Sequence, residues 1–316
     1  MGKMLCVVGG GRWGQNHIRT LREMGCLGGI VETVEQRRNE LAQTYGIEGF
    51  STVDDAVSHG FDGFIVATPA ETHYPIGKTI LESGNHVLIE KPMTLSSKDG
   101  EELVAIAAEK SVNLMVGHIL LFHPAITKIK ELISSGRIGK LAYLYSNRLN
   151  FGTVRTKENV FWSFAPHDIS VLDYLVGNPS MGVRASGGKY LQNGIDDITM
   201  ANLIYPENIK SHIFVSWLHP FKEQRLVVIG SEGMISFEDS SDEKDIHLYN
   251  KKFEIENGVP RKIESSSEII PYNKSSPLQN ELQYFIDNLD KKIEIADGQS
   301  ALEVVRVLEK VQELLY

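Results

Sequence analysis

The segment MLCVVGGGRWG, residues 4–14, decides the first half of the fold. A short apolar run leads directly into Gly9, Gly11 and Gly14, which are spaced G-x-G-x-x-G. The residues that follow, 15–24, have a helical pattern of apolar positions. A strand, a glycine turn and a helix in this order are typical of the first unit of a dinucleotide-binding domain.

Each glycine of this motif has a separate expected role. Gly9 permits the tight turn, Gly11 lets the backbone approach a pyrophosphate, and Gly14 lets the helix pack closely on the strand. The phosphates are expected on the free N–H groups at the start of the helix, where the dipole is positive. The two residues inside the motif, Arg12 and Trp13, complete this set of candidate cofactor contacts. The alternative is a glycine-rich turn that binds nothing.

A carboxylate follows the second apolar run at the position that selects the cofactor. Glu32 lies 18 residues after Gly14 and directly after residues 27–31. A carboxylate there accepts both ribose hydroxyls of adenosine and repels a 2′-phosphate, so NAD is expected rather than NADP. Arg37 and Arg38 weaken this preference, unless they belong to a solvated helix face.

Outward from this motif, the first 120 residues alternate apolar runs with helical patterns. The predicted strands are Met4–Val8, Leu27–Val31, Gly63–Ala67, His86–Ile89 and Asn113–Val116. The predicted helices are Gln15–Met24, Gln36–Tyr45, Ile76–Ser83 and Lys98–Lys110. Near-continuous apolar strands separated by helices predict an α/β domain, a Rossmann doubly wound parallel sheet over residues 1–120.

The pattern changes after residue 117, which predicts a second, α+β domain over residues 121–316. Successive strands without helices between them predict an open, mostly antiparallel sheet. The polar stretch 239–268 indicates a hairpin or a sheet edge. The predicted helices are 123–135, about 165–176, 278–289 and 299–315. For the last of these helices, packing back on the first domain is left open.

Composition excludes several classes of function. The chain has 316 residues, 32 of them basic and 41 acidic, for a net charge of −9. This acidic balance argues against nucleic-acid binding and against docking on anionic lipid. The two cysteines, Cys6 and Cys26, suit a reducing compartment, and the apolar stretch near the start is too short for a signal peptide or a membrane span. A cytoplasmic protein is expected. No cluster of His, Cys, Asp and Glu has the spacing of a metal site.

Residues 67–92 read ATPAETHYPIGKTILESGNHVLIEKP. A strand end running into A-T-P-x-x-x-H, then a helix, then H-V-L-I-E-K-P, resembles the Gfo/Idh/MocA family of sugar and cyclitol oxidoreductases. The resemblance extends over essentially the whole chain. It implies NAD(P)-dependent hydride transfer at a sugar carbon. It also implies a second domain whose open sheet builds the interface of a homodimer or homotetramer.

The resemblance implies roles for the residues of the E-K-P segment. Lys91 follows an apolar strand at its carboxyl end, where open α/β sheets bind ligands. In the family this lysine lies by the nicotinamide and the substrate hydroxyl, so Lys91 is a candidate for catalysis and for binding both cofactor and substrate. Glu90 is a cofactor candidate, and a cis bond before Pro92 is expected to fix the direction of Lys91. A solvated lysine after a strand is the alternative.

Three further residues match the family's strand-end segment beside the nicotinamide ribose. Thr68, Pro69 and His73 are therefore cofactor candidates, with loop packing as the alternative. In the second domain, His167 matches the family histidine that acts as general base or orients the hydroxyl. The family commonly has an aspartate four residues earlier, where this chain has Ser163, and Asp168 follows the histidine instead.

A narrower resemblance covers YSNRLNFGTVRTKENVFWSFAPHDISVLDYLVG. It is to the subgroup that oxidises the 3-hydroxyl of UDP-N-acetylglucosamine or of its uronic acid, in the biosynthesis of surface polysaccharides. Two arginines at this spacing suit a diphosphate. A free-sugar or inositol dehydrogenase and a non-catalytic dinucleotide sensor remain alternatives, as does an Arg148 that pairs within the sheet. The candidate substrate-binding residues are Lys91, Arg148, Asn150, Arg155, Trp162, His167 and Asp168.

Overall fold

The computed structural model describes residues 2–316, which divide into two compact units. The first unit holds the described residues up to Phe122 together with Ser276–Arg306. The second unit holds His123–Ser275 and Val307–Tyr316. The sequence predicts a second domain over residues 121–316, with only the last helix packing back on the first. Residues 276–306, which include the preceding helix as well, instead belong to the first unit.

The first unit contains a six-stranded parallel sheet with helices between its strands. Its strands are β1 (Leu5–Val8), β2 (Leu27–Val31), β3 (Glu48–Phe50), β4 (Gly63–Val66), β5 (Val87–Glu90) and β6 (Leu114–Gly117). Its helices before residue 122 are α1 (Arg12–Met24), α2 (Glu35–Tyr45), α3 (Val53–Val57), α4 (His73–Glu82) and α5 (Ser97–Lys110). The strand order 3-2-1-4-5-6 confirms the predicted doubly wound sheet.

Burial explains why these strands form where they do. All residues of β1, β4 and β6 are buried, which accounts for their continuous apolar sequences. Helix α1 buries Gly14, His17, Ile18 and Leu21, which lie three or four residues apart on one face. The short edge strand β3 escaped prediction because its three residues, EGF, carry no apolar run.

The second unit contains an eight-stranded mixed sheet and two helices. Its strands are β7 (Leu141–Phe151), β8 (Gly182–Gly188), β9 (Ile198–Ile204), β10 (Lys210–Ser216), β11 (Leu218–Gly230), β12 (Met234–Glu238), β13 (Ile246–Glu256) and β14 (Val259–Ile270). Its helices are α6 (Pro124–Ser134) and α7 (Val160–Val176). The order is β14-β13-β12-β11-β7-β10-β9-β8, and every pair except β7–β10 is antiparallel.

This sheet confirms the predicted open, mostly antiparallel architecture. The predicted hairpin over 239–268 corresponds to β13 and β14, which form one edge of the sheet. Helix α7 packs against β7 and β10. The residues of β7 alternate, so that Leu144 and Ser146 are buried while Tyr143 and Tyr145 lie on the opposite face and are only half-buried.

Helix α7 begins five residues earlier than the predicted start at 165. The side chain of Asn159 accepts a hydrogen bond from the N–H of Trp162 and so caps the helix at that point. Val160 and Phe161 are buried in the first turn. Proline usually marks the first turn of a helix, but Pro166 lies in the interior of α7.

Two helices close the chain. Helix α8 (Pro277–Asp287) belongs to the first unit and packs against α1. Helix α9 (Gly298–Leu315) contributes its first turns to the first unit and its last residues to the second. In residues 2–316, no helix combines the length and apolar character needed to cross a membrane.

Candidate functional site

The glycine turn between β1 and α1 has the geometry that the motif predicts. Gly9 has a φ of +98°, and a Cβ there would lie 2.9 Å from the carbonyl oxygen of Ala67. A Cβ on Gly14 would lie 1.8 Å from the carbonyl oxygen of Gly9. These two positions therefore require glycine for backbone conformation and for close packing.

The position of Gly11 differs, because a Cβ there would meet no heavy atom within 4 Å. Gly11 is the N-cap of α1 and supplies no side chain to bind the first N–H groups of the helix. Open space in front of uncapped helical N–H groups fits a phosphate. The neighbouring side chains of Arg12 and Trp13 are exposed beside this turn.

Glu32 follows β2 at the same edge of the sheet and is buried. Its carboxylate accepts hydrogen bonds from the N–H groups of Gly10 and Val34, both at 2.9 Å, and from Arg37 Nη1 at 3.2 Å. Burial acts to raise the pKa of Glu32, but these donors outweigh it, so the pKa lies below its usual value. An ionised carboxylate at this position fits an adenosine ribose with free hydroxyls.

His73 joins two of the predicted loops. It is buried at the start of α4, with Nε2 2.9 Å from the carbonyl oxygen of Thr68 and Nδ1 2.8 Å from that of Pro92. The ring therefore ties the end of β4 to the E-K-P segment. Thr68 is half-buried and Pro69 is exposed beside it. The Lys91–Pro92 peptide bond is cis, as the resemblance implies.

Lys91 and Glu90 lie at the carboxyl end of β5. The Glu90 carboxylate bonds to two groups: Oε1 lies 2.8 Å from Nε2 of His17, and Oε2 accepts the backbone N–H of Lys91 at 3.2 Å. Burial acts to raise the pKa of Glu90, but His17 and Lys91 outweigh it, and the pKa lies below its usual value. Lys91, half-buried, thus follows an ionised carboxylate.

Sequence reasoning missed two buried groups near Glu90. His17 lies three residues after Gly14, on the same face of α1, and this spacing was the available signal. Glu281, on α8, is fully buried, and burial together with the charge of Glu90 raises its pKa well above the usual value. No sequence signal links residue 281 to this edge of the sheet, since the contact depends on where α8 packs.

In the second unit, Arg148 and Asp168 form a buried ion pair. Arg148 Nε donates to Asp168 Oδ2 at 2.9 Å and an Nη donates to Oδ1 at 3.1 Å, while the hydroxyl of Ser146 donates to Oδ1 at 2.6 Å. Burial acts to lower the pKa of Arg148, but Asp168 outweighs it. The pair holds α7 against β7.

The remaining candidates of the second unit surround the first half of α7. His167 is half-buried, and Ser163 lies one turn before it on the same helix. Asn150 Oδ1 and Trp162 Nε1 are buried and make no hydrogen bond with any residue of 2–316, which is rare for such atoms. Arg155 is exposed, 3.7 Å from Glu158.

The structure thus brings the first-unit candidates to one edge of the parallel sheet and the second-unit candidates to β7 and α7. A cavity of about 690 Å³ also opens in the first unit, but at the amino ends of β5 and β6, opposite the glycine turn. Across residues 2–316, no three His, Cys, Asp or Glu side chains lie close enough together to hold a metal ion.

Comparison with known families matches both units. Residues 4–118 match the family model described as "Oxidoreductase family, NAD-binding Rossmann fold", and residues 126–236 match "GFO/IDH/MocA C-terminal domain". The first match confirms the predicted NAD-binding fold.

Two curated relatives are named for different activities. The UDP-N-acetylglucosamine 3-dehydrogenase of Acidithiobacillus ferrooxidans is 29% identical over 182 residues, which are 57% of this chain and 56% of that protein. The chain's match therefore spans little more than half the length of this relative. The scyllo-inositol 2-dehydrogenase (NAD(+)) of Bacillus subtilis is 27% identical over 249 residues, 72% of each chain.

Two solved structures share the fold of the whole chain. The structure of the same Acidithiobacillus enzyme, GnnA, has a TM-score of 0.87 at 22% identity and covers 100% of this chain and 98% of that one. The WlbA dehydrogenase of Bordetella pertussis, in complex with NADH and UDP-GlcNAcA, has a TM-score of 0.80 at 21% identity, covering 99% and 96%. At these identities the likeness establishes the fold.

Proposed function

The chain belongs to the Gfo/Idh/MocA oxidoreductase family, and from this we propose that it is an NAD-dependent dehydrogenase of a UDP-N-acetylhexosamine. The reaction would oxidise the 3-hydroxyl of UDP-N-acetylglucosamine, or of its uronic acid, to a ketone. The observation that carries the dehydrogenase proposal is the arrangement at one sheet edge. There the open glycine turn, the ionised Glu32 and Lys91 follow the carboxyl ends of β1, β2 and β5 of one parallel sheet.

The chemistry divides between the cofactor and the chain. NAD⁺, when bound, supplies the acceptor for the hydride that leaves the sugar carbon. Lys91 and His167 are the proposed catalytic residues, which orient the hydroxyl and accept its proton as the C–O bond becomes a carbonyl. A neutral imidazole can accept this proton and pass it to water, which suits His167 to the role.

Recognition of a nucleotide sugar is proposed for residues near α7. The exposed guanidinium of Arg155 can form forked, charge-assisted hydrogen bonds with a diphosphate. Asn150 Oδ1 and Trp162 Nε1 offer a buried acceptor and a buried donor to sugar hydroxyls. Arg148 is a weaker candidate for direct contact with the diphosphate, because its guanidinium group already donates two hydrogen bonds to Asp168.

Thermal shift tests the substrate class without requiring turnover. We expect NAD to raise the melting temperature and UDP, with NAD present, to raise it further. A ligand at about 100 times its dissociation constant adds ~2.7 kcal/mol, or a few degrees for a chain of this length. The larger shift from UDP-N-acetylglucosamine or from its uronic acid identifies the sugar. No response to UDP contradicts the nucleotide-sugar proposal.

A Lys91→Met variant tests the catalytic assignment. Turnover should fall by roughly 10³-fold or more, while the thermal shift with NAD stays unchanged, because the motif glycines and Glu32 are intact. Loss of NAD binding together with turnover would count against this division of roles. Lys98→Met, on helix α5, is a control for the removal of a lysine charge.

A free cyclitol is the second candidate substrate. The Bacillus inositol dehydrogenase aligns with 72% of this chain, more than the UDP-sugar relative does, and the occupied fork of Arg148 removes one expected diphosphate contact. This alternative expects NADH formation with inositols and indifference to UDP. NADH formation with any of these substrates would also exclude a non-catalytic sensor.

A further inference from the structure

The carboxylate of Glu90 is held from two sides by groups of the first unit. His17, which is 0% exposed on its side chain, approaches Oε1 with Nε2, so the tautomer that carries its proton on Nε2 donates to the carboxylate. Oε2 accepts the backbone N–H of Lys91. A Cβ at Gly117 would lie 3.1 Å from Oε2, so the carboxylate fills the space over the end of β6.

Four titratable groups face Glu90, and they differ in charge. His17 comes from α1, Lys91 is the next residue, His118 follows β6, and Glu281 comes from α8. Burial and the charge of Lys91 lower the pKa of His118 to about 4, and the pKa of Glu281 is raised. Both are therefore neutral at physiological pH, which leaves Glu90 as the anion beside Lys91.

His17 is the hydrogen-bond donor that compensates this buried charge. Nδ1 of His17, both ring nitrogens of His118 and both carboxyl oxygens of Glu281 form no hydrogen bond with the described residues. A buried carboxylate is stable only when it is paired or hydrogen-bonded. Without His17, only Lys91 would still favour the ionised form of Glu90 among these groups, and burial would raise the pKa of Glu90.

We propose that His17 is a positioning residue for the reaction: it keeps Glu90 ionised and directed at the peptide of Lys91, and so sets the position of the catalytic lysine. This inference rests on the proposed role of Lys91. It assigns His17 no contact with cofactor or substrate.

Two variants separate the hydrogen bond from simple packing. His17→Phe keeps a ring and removes the donor, while His17→Gln keeps an N–H donor. We expect His17→Phe to lower kcat by roughly 10–100-fold, with KM for NAD⁺ within about twofold, and to move the acid limb of the pH–rate profile upward by about one unit. His17→Gln should restore most of kcat and the original acid limb. Equal losses in both variants with an unmoved acid limb would overturn the proposal.

A second measurement needs no substrate. In protein labelled with ¹³C at the glutamate carboxyl carbons, the Glu90 signal is identified by its loss in Glu90→Gln. The pH is varied between about 5 and 8, a range that lies near the usual pKa values of glutamate and histidine. Over this range the Glu90 signal should stay at its ionised position in the wild type and should titrate in His17→Phe. A signal that does not titrate in His17→Phe overturns the inference, whether or not the enzyme turns over UDP sugars.

Matched controls come from the same unit. His86→Phe removes a histidine at the other end of the β5 region, where Nδ1 accepts the N–H of Asn113 at 2.9 Å. Glu281→Gln replaces a neutral carboxyl group with a neutral amide of similar shape. In the same carboxyl-signal measurement between about pH 5 and 8, neither His86→Phe nor Glu281→Gln should make Glu90 titrate. Titration of Glu90 in His86→Phe would mean that general destabilisation explains the effect, and would overturn the proposal.

Discussion

Two glycines of one motif serve different purposes at the scale of single residues. Gly14 has no room for a side chain, since a Cβ would lie 1.8 Å from a backbone oxygen, whereas Gly11 faces open space with an ordinary negative φ of −71°. Close packing of the strand and helix requires Gly14, whereas the open space at Gly11 is the proposed phosphate site.

Alanine at these two positions should therefore change different properties, stability at Gly14 and NAD affinity at Gly11. Gly14→Ala is expected to destabilise the protein by about 2–3 kcal/mol, as overpacking does. Gly11→Ala should leave the melting temperature unchanged and weaken NAD binding roughly tenfold, about 1.4 kcal/mol. Calorimetry for affinity and thermal melts for stability distinguish the two. A Gly11→Ala variant that binds NAD normally would show that the open space is not the phosphate site.

His118 gives a prediction about pH. Its pKa falls from 6.5 to about 4 in the folded protein, chiefly through burial. The unfolded chain therefore binds more protons between these values, and stability is lost as pH falls through this range. We expect the wild type to lose about 2 kcal/mol more than His118→Gln between pH 7 and pH 5 in urea unfolding. Parallel losses in the two proteins would contradict this.

At the scale of elements, helix α7 is fixed to β7 by one buried ion pair. Removing either partner alone leaves a buried charge, which costs about 3–5 kcal/mol, while replacing both with apolar residues is often neutral. We expect Arg148→Met and Asp168→Leu each to be strongly destabilising, and the double variant to recover to within ~1 kcal/mol of the wild type. Urea unfolding measures this cycle. A double variant as unstable as either single one would refute it.

The same double variant distinguishes two roles of Arg148. If Arg148 only holds α7, the variant that regains stability also keeps its thermal shift with UDP. If the guanidinium contacts the diphosphate, that shift disappears although the fold is restored. Arg155→Met, at an exposed position, is the matched comparison.

Local sequence patterns predicted most elements, and the exceptions have physical reasons. The buried strands of the first sheet are apolar along their length, so they were predictable. The start of α7 depends on the Asn159 cap, which Pro166 obscured. The parallel pairing of β7 with β10 depends on long-range topology, as does the approach of Glu281 to Glu90. The glycine turn, Glu32 and Lys91 were predictable because motif spacing and strand ends determine their positions.

At the scale of the whole molecule, the outer face of the second sheet bears half-buried and exposed apolar side chains. Tyr145 on β7 stacks on His212 of β10, with their ring centroids 4.9 Å apart. Met200 on the neighbouring β9 is 42% exposed. We propose that a second copy of the chain covers this face, since large exposed apolar faces commonly mark interfaces.

A single added charge tests this assembly. Met200→Glu should shift the protein toward smaller species in sedimentation velocity, because association would bury the new carboxylate. Gln36→Glu, at an exposed position of α2, adds the same charge outside the sheet. An unchanged sedimentation coefficient in Met200→Glu, equal to that of Gln36→Glu, would exclude this face as the interface.

The first unit is discontinuous in the chain, and this has a consequence for synthesis. Its parallel sheet leaves the ribosome early, but Leu282 and Phe285 of α8, both fully buried, are translated only after residues 123–275. Until then the nascent first unit exposes the apolar surface that α8 covers. The second unit also waits for its last residues, 307–316. Vectorial folding from the N-terminus therefore cannot finish the first unit before residues 276–306 are translated, or the second unit before residues 307–316 are translated.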